Sequence, residues 1–565
     1  MNNAMKTKRF ILLAGSVFLS LSAPAQSLSE GLNYARIDYV GTARTLAMGN
    51  AFTALGGDLG SIVLNPAGSA TAGFSQFSIT PGFDLDASRS QGTLGPGQST
   101  PELFATPSKS NQAAFMVPNG GFMLNFRVDN SVLEGVSIGV VSSMTHSFNN
   151  KATASEAANN KSSWLRSVAQ SASDRRIDYR EMDKGYDWAF PFDVYLGYKT
   201  DMISTIRDEI NHYAAVTEEV EEYVDQGVTK YRTKPREGGS LSQNWSREVR
   251  GSRNDWIVNL GFNFLNKVFV GANLGFTSLS MAYSDAFEES AVDPSKYVSH
   301  YVIDGRDYYP QWKSARYSYD LNASGFGIYG KFGVLVVPVE YLRVGLTWQT
   351  PMTLSLSERF GATALNTFND SLFGGRSSLT DYRNEFLLQT PSRFSAGLAG
   401  VIGKRIVISG DYEVCNYSRM VFKGKTSAFD SEWAELNQEV KTGASFSHNF
   451  RLGIEGRLTN LFALRAGANL LTTPEVYTDE NNGHSTRHPM NWFKHGWKTF
   501  SFGAGYTGSG SFYADVAVAA KISPTEYFYP YDDLYNASGA VAVAAPEIAI
   551  KSTLWTFLLT LGWRF

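Results

Sequence analysis

The C-terminal residues 555–565 alternate between two kinds of side chain. Successive side chains of a β-strand point to opposite faces, so this segment would place apolar residues on one face and a mixed set on the other. The apolar face would consist of Trp555, Phe557, Leu559, Leu561, Trp563 and Phe565. An apolar face with aromatic residues at both ends is typical of a wall strand in a transmembrane β-barrel. A strand of a soluble sandwich has the same period, so this segment alone does not decide between the two.

The same alternation recurs along the chain and predicts fourteen strands. Charged side chains stay on one face of the clearest examples, as Arg451 and Glu455 do opposite Leu452. On a lipid face each charge near the midplane would cost about 2–4 kcal/mol, so the charged face is expected to line a lumen. The predicted strands are 73–84, 112–127, 132–146, 252–265, 267–284, 316–336, 341–358, 385–402, 405–423, 445–458, 462–474, 498–508, 511–523 and 548–565.

The lengths of the connections favour the barrel. Tight turns join alternate pairs of strands, at Asp129-Asn130, Asn266, 338–340, 403–404, 459–460 and 508–510. The other connections are long and polar, and the longest covers about 147–251. Short periplasmic turns that alternate with long external loops are typical of outer-membrane barrels. We therefore predict an all-β fold, a 14-stranded antiparallel transmembrane β-barrel of the outer membrane with both termini in the periplasm.

Inside the longest connection, apolar residues recur at helical spacing among Asp, Glu and Arg. They are Ile203, Ile206, Ile210, Tyr213, Val216, Val220, Tyr223 and Val224. This spacing predicts an amphipathic helix over the extracellular mouth. The helix would either pack against neighbouring loops or offer an apolar landing site for a ligand.

The N-terminal segment has the three parts of a secretory signal. Lys6, Lys8 and Arg9 precede an apolar run from Phe10 to Leu21, and small residues follow. The run is too short to cross a bilayer as a helix, so we predict that residues 1–25 are a cleaved signal peptide. Together with the barrel, this signal predicts localisation in the outer membrane of a Gram-negative bacterium.

Composition and charge count against several classes of function. The formal charge is −3, and removal of the signal peptide lowers it to about −6, without the basic patch that nucleic acid requires. No Gly-x-Ser-x-Gly motif occurs in a catalytic context, so neither an enzyme nor a cofactor is predicted. His484, His488 and His495 could meet at a metal ion only in a loop without an ordered frame, so no metal is predicted.

Ahead of the first strand, a Gly- and Ala-rich stretch from Gly41 to Asp58 is followed by Asn65-Pro66-Ala67-Gly68. This segment resembles the N-terminal hatch of the FadL/TodX family, which are outer-membrane transporters of long-chain fatty acids and aromatic hydrocarbons. Further stretches follow in the family's order, including Val117-Pro-Asn119, Thr390-Pro-Ser-Arg393 and Arg451-Leu-Gly-Ile-Glu-Gly-Arg457. The resemblance implies a hatch, or plug, of residues 26–72 inside the lumen of a barrel of residues 73–565. It also implies that Asn65, Pro66 and Ala67 form a rigid turn between hatch and wall.

The resemblance further implies uptake of a hydrophobic molecule, such as a long-chain fatty acid, by capture at the outer face and hatch-gated passage. In the family, ligand is thought to leave sideways at a kink in the third strand, where this chain has Gly139, Ser142 and Ser143. A buried carboxylate needs a charge-assisted partner, for which lumen-facing arginines are candidates. Those arginines could equally pair with lumenal carboxylates as a structural lattice. The candidates are Arg127, Arg343, Arg393, Arg451 and Arg465.

The expected partners are the hydrophobic ligand, outer-membrane lipid with lipopolysaccharide, and the assembly machinery. Trp563 and Phe565 resemble the terminal signal that this machinery recognises, and a monomer is expected. The alternative function is that of a FadL-like barrel that binds proteins, as an accessory shuttle in secretion or in surface attachment. Enlarged external segments at 147–251 and 285–315 would suit that role.

Overall fold

The computed structural model describes residues 27–565 except 95–101, 129–131, 207–208, 226–227, 427–430, 432, 482–483, 490–494, 509 and 537–538. The predicted signal peptide and the predicted turn at Asp129-Asn130 lie outside the described residues. No helix in the described part of the chain is long and apolar enough to cross a membrane.

Most of the chain forms one antiparallel sheet that closes on itself. The sheet has 19 strand segments, and the first of them pairs with both the second and the last. Some wall strands consist of two segments that lie end to end and pair with the same neighbouring wall strand. Counted in this way, the sheet is the 14-strand barrel that the sequence predicts. The segments, numbered along the whole chain, are β1 Gln76–Gly92, β2 Ser108–Arg127, β3 Leu133–Ser147 with β4 Asn150–Asn159, β9 Leu241–Phe264, β10 Val268–Ala291, β13 Trp312–Val339, β14 Leu342–Gln349 with β15 Met352–Phe368, β16 Gly374–Thr390 with β17 Arg393–Ile402, β18 Ile406–Asn416 with β19 Val421–Gly424, β20 Phe446–Arg457, β21 Phe462–Leu471, β24 Trp497–Thr507, β25 Phe512–Ile522 with β26 Glu526–Phe528, and β29 Ile548–Arg564.

The outer face of the barrel is apolar and the inner face is polar. Leu452 on β20 is 63% exposed, whereas its neighbours Arg451 and Gly453 are buried. This arrangement reverses the one in a soluble protein and suits a wall with lipid outside. The predicted tight turns that are fully described, at Asn266, 338–340, 403–404 and 459–460, lie at one end of the barrel, and the long connections lie at the other.

Residues 27–72, the hatch, lie inside the barrel and are mostly buried. Each of the three short helices begins at a polar cap, Ser27, Thr42 or Asp58, which accepts a hydrogen bond from a backbone N–H of the first turn. The helices are α1 Leu28–Ala35, α2 Ala43–Ala47 and α3 Leu59–Leu64, followed by a 3-10 turn at Pro66–Thr71.

The predicted helix over residues 203–224 is wrong. That stretch forms two hairpins, whereas the helices of this connection lie before it. The apolar residues are largely β-branched or aromatic, and Glu221 finds a cross-strand ion pair with Arg232 at 2.8 Å. We call residues 160–235 the cap. Its elements are α4 Trp164–Asp174, α5 Tyr179–Lys184, α6 Phe192–Lys199, β5 Ile203–Thr205, β6 Tyr213–Ala215, β7 Glu218–Asp225 and β8 Val228–Pro235.

Smaller elements complete the extracellular side. They are the 3-10 turn Pro294–Lys296, β11 Tyr301–Ile303, β12 Arg306–Tyr308, the 3-10 turn Tyr417–Arg419, α7 Ala434–Gly443, β22 Val476–Asn481, β23 His484–Pro489, β27 Leu534–Tyr535 and β28 Val541–Val543.

Candidate functional site

Glycines of the wall form the surface on which the hatch rests. A Cβ at Gly503 would lie 2.6 Å from Ala47 Cβ, and one at Gly397 would lie 2.7 Å from Thr53 Cβ. A Cβ at Gly345 would overlap the carbonyl oxygen of Thr53. These positions leave no room for a side chain because backbone or side-chain atoms of the hatch lie directly on the wall backbone. We call this set the glycine girdle; it comprises Gly261, Gly271, Gly333, Gly345, Gly397, Gly453, Gly467 and Gly503.

The Asn-Pro-Ala turn fixes the hatch to two wall strands. Asn65 ends α3, and its Oδ1 accepts a hydrogen bond from Ala67 N at 3.0 Å. Its Nδ2 donates to Thr53 O at 2.6 Å and to Val334 O of β13 at 3.3 Å. The carbonyl of Pro66 accepts from Asn259 Nδ2 of β9 at 3.0 Å. The structure therefore places this turn at a junction of hatch and wall.

Two of the candidate arginines share one carboxylate. Arg393 and Arg451 lie 3.3 Å and 3.2 Å from the Glu413 carboxylate, and all three side chains are buried. Arg393 also donates to Ala35 O of the hatch at 3.0 Å and to the Tyr417 hydroxyl at 2.7 Å. Both arginines thus belong to a lattice that joins the hatch to the wall.

Arg465 belongs to a second lattice of the same kind. Its guanidinium donates to Glu455 at 2.7 Å and to Asp515 at 2.5 Å. Glu455 also accepts from Arg44 of the hatch at 2.9 Å. Arg127 lies exposed at the end of β2, and Arg343 is half-buried at the start of β14.

Arg253 on β9 is a buried arginine that the sequence analysis missed. Its side chain is 1% exposed, and none of its three nitrogens has a hydrogen-bond partner among the described residues. The carboxylate of Asp255 lies 3.7 Å from Nε. The predicted strand begins at residue 252, whereas β9 begins at Leu241, so the sequence placed Arg253 at a strand end rather than inside the lumen.

Strands β2 and β3 are hydrogen-bonded over only part of their length. Their register runs from Arg127–Gly135 to Asn119–Ser143 and ends there, although β2 continues along β1 to Ser108. Beyond Ser143, β3 is irregular at Met144–His146, and its continuation β4 pairs with β9 alone. We call the unpaired stretch beyond Ser143 the seam. All three predicted exit residues are paired on both sides; Ser142 and Ser143 are the last paired residues before the seam, and Gly139 lies further inside the paired stretch.

Side chains close the seam in place of a backbone ladder. Ser110 Oγ donates to Lys151 O at 2.7 Å, and Gln112 Nε2 donates to Val249 O at 3.1 Å. Ser108 Oγ lies 3.4 Å from Ser155 Oγ. A cavity of 310 Å³ lies beside Ser108 and is lined mainly by β4, β9 and β10, with Ser155, Asn244, Trp245, Phe287 and Arg316 among its residues.

The hatch lies directly behind the seam. Asp38 N donates to Thr145 O at 2.7 Å, so hatch backbone contacts β3 where the ladder with β2 has ended. An apolar cluster fills the space between them. It contains Val40, Ala43, Leu46 and Ala47 of the hatch and Met116, Met144, Ala517, Ala519 and Leu558 of the wall.

A larger apolar cluster extends from the cap to the hatch. Trp164 and Leu165 of α4, Leu279 and Phe386 of the wall, and Leu32 of α1 all belong to it. The cap is tied to the wall beside this cluster by Glu289, which accepts hydrogen bonds from Trp164 N at 2.6 Å and from Ser163 Oγ at 2.8 Å. Apolar contacts are therefore continuous between the outer mouth and the hatch.

At the C-terminus, the backbone of Phe565 exchanges two hydrogen bonds of 3.0 Å with Ser75. The rings of Trp563 and Phe77 stack at 6.3 Å. In the described part of the chain no group of three or more His, Cys, Asp or Glu side chains could hold a metal ion. The side chains of His484 and His488 lie outside the described residues.

These features define a class of protein, a closed antiparallel barrel of even strand number with its own N-terminal segment packed in the lumen. The chain is similar to the toluene transporter TbuX of Ralstonia pickettii, with 11% identity and a TM-score of 0.43 over 93% of this chain and 98% of that one. It is also similar to a FadL homologue of Pseudomonas aeruginosa, with 10% identity and a TM-score of 0.48 over 94% and 99%. The toluene transporter TodX of Pseudomonas putida matches with 12% identity and a TM-score of 0.45 over the same shares.

These structures are of the kind that the sequence resemblance indicates. The three TM-scores are below 0.5, and the barrel architecture is shown by the strand pairing and the contacts described above. No model of a protein family and no curated protein matches the chain.

Proposed function

We propose that this protein takes up hydrophobic small molecules, such as long-chain fatty acids or hydrocarbons, across the outer membrane. The observation that carries the proposal is the seam, an interruption of the wall that is backed by an apolar cluster of hatch and wall residues. A wall that only separated two compartments would gain by pairing these strands throughout, since unpaired backbone groups within a membrane are costly.

Capture at the outer face is supported by the apolar cluster that runs from the cap to the hatch. A molecule leaving the polar surface layer for such surroundings gains about 0.8 kcal/mol for each buried methylene. Lipopolysaccharide and outer-membrane lipid would surround the barrel, and Trp563 and Phe565 would serve its assembly.

Lateral exit agrees better with the contacts of the hatch than exit straight through it. The glycine girdle and both charge lattices fix the hatch to strands around the whole lumen. The seam is closed by a few side-chain hydrogen bonds, such as Ser110 to Lys151 O, each worth about 0.5–1.5 kcal/mol net. In this proposal the ligand leaves beside the hatch, just beyond Ser142 and Ser143, as β2 separates from the wall strand formed by β3 and β4.

A disulfide across the seam tests the lateral exit. The Ser108 and Ser155 hydroxyls are 3.4 Å apart, so Ser108→Cys with Ser155→Cys is expected to form the bond in a Cys415→Ser background. We expect the oxidised protein to lose uptake of a radiolabelled fatty acid by cells and to regain it on reduction.

The matched control joins two strands that are already paired. Ser314 and Thr367 are cross-strand neighbours whose hydroxyls lie 2.7 Å apart, and the disulfide there should leave uptake unchanged. Unimpaired uptake with an oxidised seam would contradict exit between β2 and β3. Equal loss in both disulfide variants would indicate a general effect of the cross-link.

A protein-binding role is the second candidate, and the hairpin β7–β8 favours it. The hairpin pairs only with itself within the described residues, and Val224 and Val228 are 69% and 58% exposed. An isolated two-stranded hairpin is marginally stable in water, which suits a segment that binds another chain. Replacing residues 218–235 by a short turn should leave fatty-acid uptake intact, whereas loss of secretion or attachment of a surface protein would support this role.

A further inference from the structure

Three cations lie side by side on the outer face of the wall, at the end of the barrel that carries the long connections. Arg89 of β1 is the direct cross-strand partner of Lys109 on β2 and of Lys551 on β29. All three side chains are exposed, whereas Ser88 and Ser90 on either side of Arg89 are buried on the lumenal face. Directly opposed side chains have Cβ atoms about 5 Å apart, so these like charges repel one another. We call the three residues the cationic row.

The described part of the protein supplies no counter-charge to the cationic row. None of its three side chains forms an ion pair with a described residue, and the acidic residues closest in the sequence are engaged elsewhere. Asp86 is buried on the lumenal face, and Glu102 forms an ion pair with Lys161. Glu547 accepts a hydrogen bond from the Tyr529 hydroxyl. The repulsion within the row is therefore not offset by neighbouring carboxylates.

Other exposed cations at the same end of the barrel do have carboxylate partners. Those pairs are Lys425 with Glu385 at 2.7 Å, Arg316 with Glu288 at 3.4 Å, and Arg359 with Asp381. Like charges directly opposite each other destabilise a sheet, so a row of three has a cost that the other pairs avoid. This contrast points to an anion from outside the protein as the partner of the row.

The cationic row lies at the level of lipid head groups. On the outer face of β29, Trp563 and Trp555 mark the two ends of the apolar band, as aromatic girdles do in outer-membrane barrels. Lys551 lies four residues beyond Trp555, which is about 13 Å along the strand and about 10 Å along the axis at the usual tilt. Nearer the midplane, Phe83 and Phe557 stack on the same face with ring centroids 4.8 Å apart. A cationic surface thus stands directly above an aromatic one.

We propose that the cationic row binds the phosphate groups of the phosphorylated glycolipid of the outer leaflet, whose acyl chains lie on the aromatic surface below. Guanidinium and ammonium groups donate charge-assisted hydrogen bonds to phosphate oxygens, and basic clusters beside a membrane attract anionic head groups. The bound phosphate offsets the repulsion in the row and stabilises the junction of β29, β1 and β2. This assigns a defined site to a lipid and does not depend on the proposed uptake.

The site also borders the seam. Lys109 lies between Ser108 and Ser110, whose side chains make the hydrogen bonds that close the seam. Lys109 points outward, whereas Ser110 is buried, so the lipid and the seam lie on opposite faces of the same strand. The bound lipid therefore holds the β2 side of the seam to β1 from outside.

The test titrates the detergent-purified barrel with lipid A, with lipid A stripped of its phosphates, and with inorganic phosphate, and measures binding by native mass spectrometry. The wild-type protein should bind lipid A at least about tenfold more tightly than the stripped lipid. Inorganic phosphate at the same concentration should not displace it. The triple variant Arg89→Gln, Lys109→Gln and Lys551→Gln should bind lipid A about 10- to 100-fold more weakly and the stripped lipid unchanged.

The matched control removes the same number of positive charges from the same end of the barrel. It is the triple variant Arg316→Gln, Arg359→Gln and Lys425→Gln, whose cations already have carboxylate partners and which should retain lipid A. Thermal unfolding in lipid-free detergent supplies a second readout. The cationic-row variant should be at least as stable as the wild-type protein there, because mutual repulsion has been removed.

Three results would overturn the inference, and each would leave the proposed uptake in place. They are equal affinity of the wild-type protein for lipid A and the stripped lipid, equal loss of lipid A in the two triple variants, and displacement of lipid A by inorganic phosphate. The last would assign the row to free phosphate instead of a lipid. If the cationic-row variant does not fold, Arg89→Gln alone decides, with an expected loss of about fivefold in affinity for lipid A.

Discussion

The hatch and the cap both close the lumen, but they contact the wall through different chemistry. The hatch meets the wall through glycine backbone, buried ion pairs and hydrogen bonds to wall backbone, as at Gly345, Glu455 and Asn65. Apart from its hydrogen bonds to Glu289, the cap meets the wall through aromatic rings, such as those of Trp188 and Tyr382, whose centroids are 4.9 Å apart, and those of Phe192 and Phe360 at 6.2 Å. Contacts of the first kind hold in one geometry only, whereas apolar packing tolerates rearrangement. The inner closure is thus fixed, and the outer one can rearrange.

The largest expected effect is at the shared carboxylate of the hatch lattice. Glu413→Ala would leave Arg393 and Arg451 buried without this partner, which should cost about 3–5 kcal/mol. Denaturant unfolding of the detergent-solubilised barrel measures the change. The control is Glu385→Ala, which removes an exposed ion pair with Lys425 and should change the unfolding free energy little. Similar losses in the two variants would contradict a fixed inner closure.

A smaller effect is expected in the glycine girdle. Gly345→Ala places a methyl group on the Thr53 carbonyl, so the hatch has to shift at a cost of about 1–3 kcal/mol. Cells that carry the variant should become sensitive to a bulky antibiotic that the plugged barrel excludes. Gly456→Ala is the matched control, because a Cβ there meets nothing within 4 Å. If cells with the Gly345→Ala variant stayed resistant to the antibiotic, the hatch would have accommodated the methyl group without opening the lumen.

The smallest effect concerns the cap and depends on pH. Burial raises the pKa of Asp193 in α6 to about 6, and the negative charge of Asp532 adds to the rise. The folded cap therefore retains this proton to a higher pH than the unfolded segment does, since an unperturbed Asp has a pKa of about 3.9. The stabilisation by the protonated carboxyl is complete below pH 4 and is lost as the pH rises through 6.

Hydrogen exchange of the cap should accordingly be faster at pH 7 than at pH 4 after correction for the intrinsic rate. The side chain of the Asp193→Asn variant does not titrate, so the ratio of the exchange rates at pH 7 and pH 4 should fall about tenfold. The exposed Asp187→Asn serves as the control and should leave the profile unchanged. A cap whose exchange does not respond to Asp193→Asn would show that its opening is not limited at α6.

The wall could be predicted from the sequence because lipid imposes a strict alternation of apolar and polar side chains along each strand, which few other environments do. The predicted turn at 403–404, for example, has positive φ at both Gly403 and Lys404. The hatch followed from the motif around Asn65. The hairpins of the cap could not be predicted, because the spacing of apolar residues in 218–224 fits a helix and a strand alike. The choice depends on the facing strand, which contains Arg232.

The candidate arginines show the same limit. Their lumen-facing side followed from alternation, but which arginine has an acceptor depends on strands far apart in the chain. Arg465 pairs with Asp515, and Arg393 pairs with Glu413. Arg253 became recognisable only once the true start of β9 placed it inside the barrel and its neighbours were known.

The glycine girdle also has a consequence for the order of assembly. Gly467 and Gly345 lie on different wall strands, and each contacts hatch backbone with no room for a methyl group. A segment seated this tightly cannot be threaded into a finished cylinder, since its helices and turns would have to unfold to pass. The ladder of β1 with β29 joins the two ends of the wall and so closes the barrel. The hatch must be in place before that ladder closes, so the barrel wall assembles around its own N-terminal segment.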